Sequence, residues 1–304
     1  MKRKVSLIGP ATLMVSLPSK WVKQFNVKKG DEIDIEEDSN RLILSVGKTS
    51  QSKRIEIDVS KNPSLTRRFL MDAYRSGFDE VRLNFLDLKE LKLIQDTASE
   101  ILLGFEIVEQ SKNNCVLRNV TKESEEEFDN VLRRIFQVTS VMIKNGLEAI
   151  KKNDFELLQE AYVLEITNNK FALYCERMLN KIGKGSYLKT NFTFAIIYQL
   201  EKIADELKYI FEYISKNRIK LNKETIKLYE KIGIMYDLCQ KNYYDFNEND
   251  AKLLSEYKIG VVSIGEKLFQ TTDRSEVKLI GNLIDIAKFI YNILGCKISL
   301  NFEM

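Results

Sequence analysis

Glu201 and Asp205 stand four residues apart, a spacing that in a helix sets two carboxylates one above the other on a single face. They lie beside an apolar stripe of Leu200, Ile203, Leu207 and Ile210. Glu165 and Asn169 repeat the spacing next to Leu164, Phe171 and Tyr174. On neighbouring antiparallel helices the two pairs converge at the edge of a buried seam, where bundles build carboxylate metal sites. Without imidazole or thiolate, such a site favours Mg²⁺, Mn²⁺ or Ca²⁺, with iron left open. The plainer reading of the same spacing is a solvated acidic face or a set of salt-bridge partners, in a chain whose charged content is 30%.

The chain contains no histidine, which excludes histidine-activated nucleophiles, the commonest general base and every imidazole metal site. No nucleophile with an adjacent base is visible, and Gly183-Lys184-Gly185-Ser186 lacks the strand and spacing of a phosphate loop. The expectation is a protein without enzymatic activity. Four cysteines (Cys115, Cys175, Cys239, Cys296) without a Cys-x-x-Cys step fit reduced, structural thiols. Net charge is only +3, but its distribution is uneven: residues 1–29 hold Lys2, Arg3, Lys4, Lys20, Lys23, Lys28 and Lys29 and no acid. A one-signed patch on a small module is a footprint for a polyanion, most often nucleic acid. A solvated basic terminus is the alternative. Lys2, Arg3, Lys4, Lys20 and Lys23 are the residues expected to meet DNA phosphates.

The elements that must position these residues fall into three segments. In residues 1–48 an alternating strand runs into Pro18, and a short helix follows with Ser19 as N-cap and Trp21, Val22 and Phe25 at helical spacing. After the Lys28-Lys29-Gly30-Asp31 turn, Ile33 and Ile35, then Leu42, Leu44 and Val46, alternate around a turn at Asp38-Ser39-Asn40 as a β-hairpin. So few elements cannot bury a core alone, so the module needs a partner copy. Residues 49–120 read as βαβαββ, a small α+β connector with helix stops at Gly77 and Gly104. Its role is a rigid connector or dimer-forming unit.

From residue 121 to 304 no proline occurs, and strand alternation returns only in the last few residues. Six long helices are expected: from Thr121 to about Lys152, and over Phe155–Lys181, Leu188–Lys216, Lys223–Tyr243, Asp250–Gln270 and Ser275–Leu294. Short connections make them an antiparallel bundle. Asn153-Asp154-Phe155-Glu156-Leu157-Leu158 echoes Asn249-Asp250-Ala251-Lys252-Leu253-Leu254, and Leu200 to Asp205 echoes Ile280 to Asp285. The bundle therefore reads as two three-helix repeats, about 121–218 and 219–297. The fold class is multi-domain α+β: an N-terminal hairpin domain, a small α+β connector and a C-terminal six-helix bundle. The longest apolar run, Phe192 to Tyr198, is too short to span a bilayer, and the start Met1-Lys2-Arg3-Lys4 lacks a secretory apolar run. The expectation is a cytoplasmic protein with no membrane insertion.

The stretch Thr12 to Trp21, then Val27-Lys28-Lys29-Gly30-Asp31-Glu32-Ile33 and Arg41-Leu42-Ile43, resembles the AbrB/SpoVT swapped-hairpin DNA-binding domain. That resemblance implies an intertwined homodimer that binds DNA. The helical half resembles PhoU, the regulator of phosphate uptake: Glu201-Lys202-Ile203-Ala204-Asp205 and, with Asn for Asp, Glu165 to Asn169 match its acidic motifs. Tyr74 to Asp79 and Gly104 to Val108 look like the linker region of archaeal PhoU-like regulators. The resemblance implies a divalent or iron cation on Glu165, Asn169, Glu201 and Asp205. In the second repeat Gly281, Val261 and Gly265 replace the expected ligands and only Asp285 remains. The function implied is a homodimeric, DNA-binding transcriptional regulator of phosphate uptake and homeostasis. Its rivals are a PhoU-type adaptor docking on a phosphate transporter or sensor kinase, and a carboxylate metal-binding protein.

Overall fold

The computed structural model describes residues 1–38, 41–46, 52–121 and 123–302. It divides into two compact units, Met1–Gln51 and Ser52–Met304. The expected boundary at 48/49 lies outside the described residues, as do Ser39 and Asn40 of the hairpin turn. At 120/121 no division occurs, and the α+β segment belongs to the same unit as the helices.

In the first unit β1 (Ser6–Ile8) and β2 (Thr12–Met14) form an antiparallel pair with Leu7 opposite Leu13. Helix α1 (Ser19–Gln24) follows. Its N-cap is Pro18 rather than the expected Ser19, and no side chain caps it. The fixed φ of proline supplies the extended entry there, so Ser19 is already helical. The helix ends where Asn26 takes a left-handed φ of 51° and Val27 donates back to the Val22 carbonyl, closing the last turn. Strands β3 (Asp34–Asp38) and β4 (Arg41–Ser45) make the expected hairpin, with Ile35 opposite Leu44.

In the second unit, the sheet order is β5 (Arg54–Asp58), β6 (Glu80–Asn84), β8 (Asn114–Asn119), β7 (Phe105–Gln110), and only the β5–β6 pair is parallel. Helices α2 (Thr66–Arg75) and α3 (Leu88–Ile101) cross over between the strands and also contact the fifth helix of the chain. Gly104 shows why the second crossover stops where it does. Its φ is +80°, and a Cβ there would lie 2.3 Å from Thr121 Oγ1.

Six helices complete the unit: α4 (Glu125–Lys152), α5 (Phe155–Ile182), α6 (Tyr187–Asn217), α7 (Lys223–Tyr244), α8 (Glu248–Thr271) and α9 (Arg274–Asn301). Ser124, Asp154, Ser186, Asn222 and Asn247 cap five of them through their side chains. The sixth helix runs seven residues beyond the expected Leu294, to Asn301, where alternation had pointed to extended chain. The bundle overrides that local pattern, because Ile298 and Leu300 pack against its core. First helix packs on first helix (α4 on α7) and third on third (α6 on α9), the like-with-like pairing of a duplicated unit. By length and composition α9 could cross a bilayer, which the short run at Phe192–Tyr198 did not foreshadow. Ile280, Leu283, Ala287 and Ile290 of this helix lie in the bundle core.

The sheet layer is fastened to the bundle by a buried arginine. Arg177 of α5 is fully buried, its guanidinium 4.9 Å and 5.1 Å from the ring centres of Tyr74 and Phe105, which pack edge to face on each other. It donates to the carbonyls of Tyr74 (3.0 Å) and Phe78 (2.6 Å), to Asp79 (2.9 Å) and to Glu123 (2.9 Å). Lys181 joins the same two carboxylates, and Asn180 donates to the Arg75 carbonyl. Donors and positive charge thus meet the carbonyl end of α2, where the helix dipole is negative.

Candidate nucleic-acid interface and acidic helix pair

The amino-terminal unit places all its expected DNA contacts in solvent. Lys2, Arg3, Lys4, Lys20 and Lys23 are exposed, as are Lys28 and Lys29. Lys20 and Lys23 are three apart on α1, hence on one face, while Trp21 and Phe25 pair on another with ring centroids 5.5 Å apart. Lys28 and Lys29 sit in a turn closed by Asp31, whose carboxylate accepts from the Lys28 amide at 2.7 Å.

The apolar side of the unit is equally open. Cross-strand partners Leu7 and Leu13 are 66% and 69% exposed, and Ile35 and Leu42 are 62% and 64% exposed. Helix α1 buries no residue. The hairpin alternation therefore builds an apolar face that the described residues of this unit leave open, as expected of half of a shared core.

The second site lies between α5 and α6. Three of its four expected residues are drawn together, around a cation that the spacing did not name. Lys208 Nζ is 2.5 Å from Glu165 Oε1 and 3.6 Å from Asp205 Oδ1. Asn169 turns its amide NH₂ to the same Glu165 oxygen at 2.7 Å, leaving its own Oδ1 buried without a partner. Asp205 also receives Lys202 at 2.8 Å. Burial works against the Lys208 ammonium, but Glu165 and Asp205 outweigh it and raise its pKa. Glu201 stands outside this set, with no hydrogen bond or ion pair among the described residues. Burial raises its pKa, Lys202 opposes this, and Asp205 adds to it.

One further carboxylate was not foreseen. Glu176 is 2% exposed, and Arg75 of α2 reaches it with Nε 2.7 Å from Oε2. Burial pushes Glu176 up to about 7, Arg75 pulls it down, and Glu201 pushes it up again. The acidic face of the helix pair therefore continues as far as the sheet layer. A signal for Glu176 was present in the chain, since it follows Glu165 by eleven residues, close to three whole turns. Lys208 follows Asp205 by three and was legible in the same way. Nothing in the local sequence joins Arg75 to them.

As arranged, these residues do not fit a divalent cation. The ammonium of Lys208 stands where Glu165 and Asp205 meet, Asn169 offers Glu165 a donor, and Glu201 is not in the group. Among the described residues no three Asp, Glu or Cys side chains gather closely enough to hold a metal ion. Of the cysteines, Cys115, Cys175 and Cys239 are buried, and burial raises all three thiol pKa values.

No curated protein matches the chain. The family described as antidote-toxin recognition MazE, bacterial antitoxin, matches residues 7–53, the stretch that contains α1 and, apart from Ser6, both strand pairs of the exposed basic unit.

Proposed function

We propose that this chain is a homodimeric, DNA-binding transcriptional regulator of phosphate uptake and homeostasis, with a PhoU-like helical body that receives the signal. The observation that carries the DNA-binding part is the amino-terminal unit: seven exposed cations and no acid over residues 1–29, on a module whose apolar faces await a second copy. Two such modules back to back present Lys2, Arg3, Lys4, Lys20 and Lys23 twice. Their contacts go mainly to phosphates, which fix register on the duplex and release counterions. The phosphate assignment rests on the acidic motifs at Glu165–Asn169 and Glu201–Asp205 and on the duplicated three-helix bundle. Signal reaches the DNA by biasing the spacing of the paired modules.

The test is duplex binding measured across a salt series. The expected result is an affinity that falls by several log units per log unit of salt, with a shallower slope for the Lys20→Ala/Lys23→Ala double variant. No binding at low salt, or a slope near zero, removes the regulator reading. That result leaves the second reading, an adaptor that dimerises through the hairpin and docks its bundle on a phosphate transporter or sensor kinase. Co-purification with a membrane fraction or a kinase in phosphate-replete cells would then be the observation to seek.

A further inference from the structure

We infer that Lys208 is the resident cation of the α5–α6 acidic site, and that this site is held together by a tethered ammonium instead of a bound metal ion. This inference is independent of whether the amino-terminal unit binds DNA.

Three features carry it. The first is position. Lys208 reaches carboxylates on two different helices, Glu165 on α5 at 2.5 Å and Asp205 on its own α6 at 3.6 Å. That is the bridging role a divalent ion plays in bundle sites. The second is burial. The Glu165 side chain is 7% exposed and that of Lys208 is 21% exposed. A carboxylate so far from water needs a compensating charge, and the structure supplies it covalently. The third is the donor set. Asn169 gives Glu165 a hydrogen bond with its NH₂, so the Glu165 Oε1 that meets Lys208 already accepts from two donors.

The second repeat points the same way. Asp285 and Lys288 stand at the positions that correspond to Asp205 and Lys208, and they pair at 2.8 Å on the exposed surface of α9. Where the first repeat has Asn169, the second has Gly265, and a Cβ there would lie 2.6 Å from Ile284 Cδ1. Apolar packing thus replaces the polar site, and the Asp-x-x-Lys step is the part both halves keep. A lysine conveys one charge and takes up little of the space of a hydrated ion. It keeps the two helices joined whatever the metal supply, so any signal received by the body enters by another route.

Metal analysis and thermal melts of the full chain decide the matter. Wild-type protein purified without chelator is expected to carry far less than one divalent ion per chain, with a melting temperature unmoved by EDTA or by millimolar MnCl₂. Lys208→Met leaves Glu165 uncompensated and should lower the melting temperature by about 5 °C. Millimolar MnCl₂ should then restore part of that loss in this variant only. The double variant Glu165→Gln/Lys208→Met removes both charges, so it should melt above Lys208→Met and ignore manganese. It also serves as the comparison if Lys208→Met alone fails to fold. The inference is overturned by about one tightly held metal per wild-type chain, by a wild-type melting temperature that drops in EDTA, or by a double variant no more stable than Lys208→Met.

Discussion

Glu176 is the residue whose chemistry reads most directly into behaviour. Its folded pKa is raised from 4.5 to about 7, chiefly by burial and against the pull of Arg75. The folded chain therefore holds a proton that the unfolded chain releases over that interval. Stability is fully present below the lower value, declines as pH rises through the interval and levels off above it. With Glu176 almost wholly buried, the decline amounts to about 3 kcal/mol as an order of magnitude. Glu176→Gln cannot titrate, so denaturant melts from about pH 5 to about pH 8 should show that part of the slope vanish. Equal slopes in the two proteins would assign Glu176 an ordinary carboxylate pKa. Arg177 makes the opposite kind of prediction, one of magnitude. Arg177→Met leaves Asp79 and Glu123 sharing Lys181 as their one cation among the described residues and strips donors from the Tyr74 and Phe78 carbonyls, so a loss of about 3–5 kcal/mol in urea unfolding is expected. The spacing rules located Glu165, Asn169 and Asp205 because partners within one or two turns are written in the local sequence. They passed over the Arg75–Glu176 and Arg177–Asp79 pairs, whose members lie far apart in the chain and meet only through the fold.

At the scale of elements, the helices were legible because their caps and periodicities agree. Asp154, Asn222 and Asn247 each precede a long amphipathic run and each caps it in the structure. The sheet segment was legible for a related reason: β5, β6, β7 and β8 alternate, and Gly77 and Gly104 punctuate them with φ values of 82° and 80°. What failed were ends decided by packing, such as α9, which stays helical through Asn301. Gly104 gives the sharpest test. Gly104→Ala must adopt a left-handed φ while its methyl group meets Thr121, so a loss of about 2–3 kcal/mol is expected. Adding Thr121→Ser, which deletes the Cγ2 that a Cβ would meet at 2.9 Å, should recover part of that loss. No recovery would assign the loss to backbone strain together with the Thr121 Oγ1 contact that serine keeps.

At the scale of the whole molecule, the two units differ in self-sufficiency. Ser52–Met304 contains a bundle core and a sheet core, joined by the Arg177 cluster, and the described residues of Met1–Gln51 contribute to neither core. A fragment beginning at Ser52 should therefore fold and melt as the corresponding part of the full chain does, as circular dichroism would show. A fragment that is unfolded, or that melts far below the parent, would mean the division at Gln51 is not a folding boundary. The wet faces of β1 to β4 carry a further consequence, for abundance. In the homodimer proposed above, such a module takes its stability from its copy, so its unfolding midpoint is expected to rise with protein concentration. In a cell, that couples the dose of this protein to its survival. Dilute chains would expose an unfolded amino terminus to proteases, and concentrated chains would shield one another, so the population tends towards scarcity or plenty with little between.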